Sequence, residues 1–120
     1  MRIAICDDEK KICLFMKETI NRFYFDRDEE IHISCFEGGE QLLQANLSDI
    51  DILFLDIEMD GLSGIKLKDR VLKLDKIWRI AFVSSHDEKM IDSFGIKTID
   101  FIRKPAGYMD VKAVLEKVLI

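Results

Sequence analysis

The chain is short of most things that would place it outside the ordinary globular classes. It has a single proline, Pro105, and no repeat, low-complexity tract or Pro/Ser-rich linker, so its 120 residues carry no visible domain boundary. No apolar run approaches the length of a membrane span. The opening "MRIAICDDE" turns acidic too early for a secretory signal. Positive charge is in deficit, with 18 Lys and Arg against 23 Asp and Glu and a net charge of −5. That balance argues against this segment gripping nucleic acid through its phosphates. Cysteine is scarce: Cys6, Cys13 and Cys35 are odd in number and form no C-x-x-C pair. They read as buried thiols in a reducing cytoplasm, not as disulfides or metal ligands. His32 and His86 are the only histidines and stand at no zinc-like spacing from the cysteines.

What the chain does have is an alternation of two periods. "RIAIC" (2–6), "IHISCF" (31–36), "DILFL" (51–55), "RIAFV" (79–83) and "TIDFI" (98–102) read as strands. Between and after them the apolar residues recur at helical spacing. Ile12, Met16, Ile20 and Phe23 share one face of 9–24, and Leu67, Val71 and Leu74 one face of 63–74. A short helix is expected over 40–47, another over 87–94 with Met90, Ile91 and Phe94, stopped by Gly95, and a last one over 108–119. Five strands alternating with five helices imply βαβ units and an α/β fold with a five-stranded parallel sheet. The first, third and fourth strands are continuously apolar, as strands covered on both faces are. The second and fifth mix in polar residues, as edges do. The order 2-1-3-4-5, that of flavodoxin-like sheets, puts the mixed strands outside.

In such a sheet ligands bind beyond the carboxyl ends of the strands. Asp7, Asp8 and Glu9 follow the first strand, Asp56 the third, Ser84 and Ser85 the fourth, and Lys104 and Pro105 the fifth. Crowded carboxylates repel, and one of them takes up a proton unless a cation joins them. Hard oxygen donors suit Mg²⁺. Asp8 and Asp56 are expected to bind it directly and Asp7 through water, with the backbone carbonyl of Glu58 as a further oxygen. A strand-end aspartate also has a plainer use, as the cap of the following helix; Asp87 reads that way. A carboxylate beside Mg²⁺ can attack phosphorus and form an acyl phosphate. Lys104 would then neutralise phosphoryl oxygens, and Ser84 would donate a hydrogen bond to one. No G-x-x-x-x-G-K-[ST] loop is present, so a nucleotide is not the expected donor.

"ICDDE", "LFLDIEMDGLSGI", "AFVSSHDE" and "DFIRKP" together resemble the receiver domain of two-component response regulators, over essentially the whole chain. "FEGGEQLL" with "FLDIEMDGLSGI" is most similar to receivers of regulators with a LytTR-type DNA-binding domain. The resemblance implies a flavodoxin-like receiver fold with Asp56 as phospho-acceptor. It makes Asp7 and Asp8 the acidic metal pair, Ser84 the hydroxyl and Lys104 the lysine of the site. It implies a cis peptide bond at Lys104-Pro105 and a switching role for Phe101. Glu58 and His86 would tune the lifetime of the phosphoryl group. Asp60 departs from the pattern, standing where many relatives have proline.

The resemblance further implies a sensor histidine kinase as donor and a cytoplasmic location without membrane contact. Phosphorylation would switch the surface formed by 87–94, the fifth strand and 108–119, which often makes a homodimer. The chain stops at Ile120 after the last helix, so residues 1–120 read as one receiver domain. Contact with DNA would come only through an output domain absent from this chain. Two other readings compete: an Mg²⁺-dependent phosphohydrolase with an aspartate nucleophile, and a pseudo-receiver that binds partners without phosphorylation. The first usually needs a second Asp two residues on, where this chain has Glu58. The intact acidic set argues against the second. The expected chemistry is therefore confined to the chain's own phosphorylation and dephosphorylation.

Overall fold

The computed structural model describes residues 1–45, 49–56, 70, 77–85 and 98–118. Within them lie the strands β1 (Arg2–Cys6), β2 (His32–Phe36), β3 (Ile52–Asp56), β4 (Ile80–Ser84) and β5 (Thr98–Arg103). All pair in parallel, in the order β2-β1-β3-β4-β5. The expected order and edges therefore hold. Among the described residues there are three helices, α1 (Lys10–Tyr24), α2 (Gly39–Gln44) and α3 (Tyr108–Val118). Of the helix expected over 63–74 only Arg70 is described, and it is helical and exposed; the helix expected over 87–94 lies outside the described residues, as do Glu58, Asp60, His86 and Asp87.

Alternation along the inner strands divides the core in two. Ile3, Ile5, Ile52, Phe54, Ala81 and Val83 face α1 and α3, where they meet Met16, Ile20, Phe23, Val111, Val114 and Leu115. Ala4, Cys6, Leu53, Leu55, Ile80 and Phe82 face the other way, against Leu42 of α2, Ile50 and Ile77. Every residue of β3 and β4 is buried, which is why both read as unbroken apolar runs. Burying each Leu, Ile or Phe side chain contributes about 1.5–3 kcal/mol, so these two layers dominate the stability of the sheet. Across α1 and α3 the Arg22 guanidinium lies 4.0 Å from the centre of the Tyr108 ring. This contact ties the two helices on one face.

The edge strand β2 corrects one expectation. Cys6 and Cys13 are buried, but Cys35 is exposed. Ile31 and Ile33 pack against the α1 side of the core, as the alternation predicts. Alternation fixes which way a side chain points and not whether anything covers it. β2 has a neighbour on one side only, β1. The face above Cys35 opens into a groove beside the start of α1. Among the described residues no helix is long and apolar enough to cross a membrane.

Candidate functional site

Register brings the strand ends to one rim. Cys6 pairs with Leu55, so Asp7 stands level with Asp56 one residue further along each strand. Asp56 pairs with Val83, and Ser84 follows at the end of β4. Ser84 pairs with Arg103, and Lys104 comes next; its backbone N–H donates to the Ser84 carbonyl at 2.8 Å. The Asp7 N–H donates to the Phe36 carbonyl at 3.0 Å, which fixes the first acid against the end of β2. The peptide bond between Lys104 and Pro105 is cis, as the resemblance implies.

Four of the expected site residues meet here. Asp7, Asp8 and Asp56 bring one carboxylate oxygen each to within 4.8 Å of one another. Asp7 and Asp56 are buried and Asp8 is exposed. The Lys104 ammonium lies 3.1 Å from Asp7 Oδ2 and 3.2 Å from Asp56 Oδ2. Two buried carboxylates thus share one ammonium, which offsets their repulsion and their loss of hydration. Asp7 is further held by its other oxygen, Oδ1, which accepts the Glu9 N–H at 2.9 Å. Ser84 is fully buried at the same rim. Phe101 is partly buried and packs against the Phe82 side of the core.

Glu9 joins the site without an expected role. Its carboxylate stands 3.8 Å from the Lys104 ammonium, and its backbone carbonyl accepts the first bonds of α1 from Ile12 and Cys13. A third acid directly after "CDD" was the available signal. The double pairing of Lys104 is likewise new, since its expected partners are phosphoryl oxygens. A further unexpected contact lies beneath the acids, where the Cys13 thiol reaches the Asp7 carbonyl at 3.6 Å.

The three hard oxygen donors fit a divalent cation such as Mg²⁺. Their mutual approach, with the Lys104 ammonium drawn between two of them, marks a point where positive charge is stabilised.

The same fields move nearby ionisations. Burial pulls the Lys104 pKa down, but the Asp56 and Asp7 carboxylates outweigh it and the net shift is upward from 10.5. Burial first, and then the negative charge of Asp7 and Asp56, pushes the Cys6 thiol from 9.0 up to about 12. For both groups the folded chain holds its proton more tightly than the unfolded chain does. Their contribution is therefore complete below the unfolded pKa and is lost as pH rises through the folded one. Stability should be level from neutral pH to about pH 8 and fall from about pH 9 upward. Urea midpoints measured across that range check this, and Cys6→Ala should flatten the first part of the fall.

A rim of acids, a hydroxyl and an ammonium on a parallel 2-1-3-4-5 sheet defines a class of phosphoryl-accepting α/β domains. The chain belongs to one family of that class: residues 3–116 match the response regulator receiver domain. It is a receiver domain of a two-component response regulator. It is 36% identical over 110 residues to accessory gene regulator protein A of Staphylococcus aureus, covering 87% of this chain and 46% of that protein. It is 30% identical over 86 residues to an uncharacterized response regulatory protein of Vibrio cholerae, covering 71% of this chain and 33% of that one. The chain thus spans between a third and a half of these relatives. The crystal structure of response regulator protein TrrA from Thermotoga maritima in complex with Mg²⁺-BeF is similar in fold. It has a TM-score of 0.79 and 25% identity, and the match covers 98% of this chain and 97% of that one.

Proposed function

We propose that Asp56 is the phospho-acceptor of a signalling switch fed by a sensor histidine kinase. The observation that carries this is the shared ammonium: Lys104 sits 3.2 Å from a buried Asp56 at the centre of the rim. Its position supports the choice of Asp56 among the three acids: it is buried at the end of the inner strand β3, between β1 and β4, whereas Asp7 and Asp8 follow β1 and Asp8 is exposed. Asp8 and Asp56 would hold Mg²⁺ directly and Asp7 through water. When bound, the ion supplies positive charge to the carboxylates and to the oxygens of the incoming phosphoryl group.

The transfer forms a bond between an Asp56 oxygen and phosphorus as the P–N bond to the donor histidine breaks. The electron pair leaves with the imidazole nitrogen. Lys104 then meets phosphoryl oxygens as a point charge, and the Ser84 hydroxyl donates to one of them. The added group carries roughly −1.5 to −2 charge and strong acceptor oxygens. Ser84 moving toward it opens space beside Phe101, which lies on β5 against the same core layer as Phe82. Rotation of Phe101 into that space biases the surface around β5 and α3 between two states.

The matched relatives extend well beyond the aligned segment, which supports a regulatory unit acting on a separate output. We read that output as DNA-binding, the active form as a homodimer and the location as cytoplasmic. The chemistry is confined to the chain's own acceptor, with no turnover of an external substrate.

Intact mass spectrometry tests the reading. With Mg²⁺ and acetyl phosphate the chain should gain about 80 Da, labile in alkali. EDTA should suppress the gain. A gain of equal size and rate in EDTA would count against the acid site.

A further inference from the structure

The groove beside the start of α1 holds a chemistry that phosphorylation does not use. It has a volume of about 260 Å³ and is lined by Lys10, Cys13, Leu14, Lys17, Cys35 and Glu37. Two of these six are cysteines, and both line the same small groove. They come from different elements, Cys13 from the second turn of α1 and Cys35 from the edge strand β2. Cys35 is exposed and open to solvent reagents, whereas Cys13 is buried. Cys13 also touches the acid site, its thiol lying 3.6 Å from the Asp7 carbonyl. Lys10 on the helix and Glu37 just past β2 face each other at 3.9 Å, so the two sides of the groove already meet.

We propose that Cys13 and Cys35 form an oxidisable pair that closes to an intramolecular disulfide under a hydroperoxide and thereby acts on the acid site through Asp7. An exposed thiol reached first and a buried thiol lining the same groove fit the roles of an attacking and a resolving cysteine. In the first step the Cys35 sulfur, as thiolate, attacks one peroxide oxygen. The O–O bond breaks, Cys35 becomes a sulfenic acid and hydroxide leaves. In the second step the Cys13 sulfur attacks the Cys35 sulfur. The S–S bond forms, the S–O bond breaks, and the departing hydroxide takes up the Cys13 proton as water. The sum is two thiols and one hydrogen peroxide giving one disulfide and two waters. A disulfide bond is about 2.05 Å long, so the start of α1 is drawn toward β2 as it closes. The Cys13 thiol can then no longer donate to the Asp7 carbonyl, and the backbone that carries the first two acids loses a partner. This second effect rests on the proposed reading of the acid site as a Mg²⁺ site.

The whole chain is treated with hydrogen peroxide, denatured, alkylated and digested. The expected product is about 2 Da lighter than the reduced chain before alkylation. Alkylation then labels Cys6 alone, a peptide joining Cys13 to Cys35 is found, and dithiothreitol restores all three thiols. Cys35→Ser abolishes the cross-link. A persistent sulfenic acid on Cys35, or dimers joined through Cys35 of two chains, would overturn the pairing. Mg²⁺ titration of the oxidised chain should give a Kd raised about threefold over the reduced chain, the effect of losing one modest hydrogen bond. Equal Kd values for the two forms would overturn the coupling. Failure of the reduced chain to bind Mg²⁺ would overturn the metal reading separately, since the disulfide is mapped without the ion.

Discussion

Asp56→Asn takes up no phosphoryl group: given Mg²⁺ and acetyl phosphate, it keeps its unmodified mass while the parent chain gains about 80 Da. The carboxamide has nearly the shape of the carboxylate but lacks the negative charge that attacks phosphorus. The variant keeps its fold because Lys104 still pairs with Asp7 at 3.1 Å, and the core layers under the rim are untouched. Transfer of the label to Asp7 or Asp8 is not expected. Both follow β1, one strand away from the end of β3, and Asp8 lies at the exposed margin. Peptide mapping that finds Asp56→Asn labelled at the parent rate would remove Asp56 from its role.

Lys104→Met produces the second large effect, on stability as well as on transfer. The Lys104 side chain is 14% exposed, and those of Asp7 and Asp56 are 3% exposed. Removing one partner from a buried pair leaves the other charge uncompensated and costs about 3–5 kcal/mol. Here the loss leaves two carboxylates facing each other, so a value near that range is expected in EDTA. Mg²⁺ should restore much of it by supplying the missing positive charge. Combining Lys104→Met with Asp56→Asn should recover part of the loss even in EDTA, because one of the repelling charges is gone. Urea midpoints of the parent, both single variants and the double variant measure this. Phosphoryl uptake by Lys104→Met should fall about 10²-fold, the usual cost of removing a charge-stabilising group. A Lys104→Met chain as stable as the parent in EDTA would show that the ammonium does not hold the rim together.

The inner strands were legible because burial on both faces leaves no polar alternation to confuse the period. The runs at 52–55 and 80–83 are continuous, and the fold buries all of them. Their ends were read one residue short. Backbone pairing continues through Asp56 and Ser84, whereas apolarity stops at Leu55 and Val83. Asp56 and Ser84 are therefore themselves paired strand residues, held by the ladder and not by a loop.

The convergence of Asp7, Asp8, Asp56 and Lys104 was readable from strand order alone. The reach of one side chain was not. Lys104 follows β5, and β3 and β4 lie between β5 and β1. Nothing local indicates that its ammonium would contact Asp7 as well as Asp56. Cys35 shows the same limit at the edge, since its face was set by alternation while its exposure depends on where α1 begins.

Crystals grown with Mn²⁺ in place of Mg²⁺ locate the cation through their anomalous difference map. One peak is expected, coordinated by carboxylate oxygens of Asp8 and Asp56, with Asp7 behind it and Lys104 displaced from between the acids. A peak at other carboxylates, or none at this rim, would contradict a cation site among these acids.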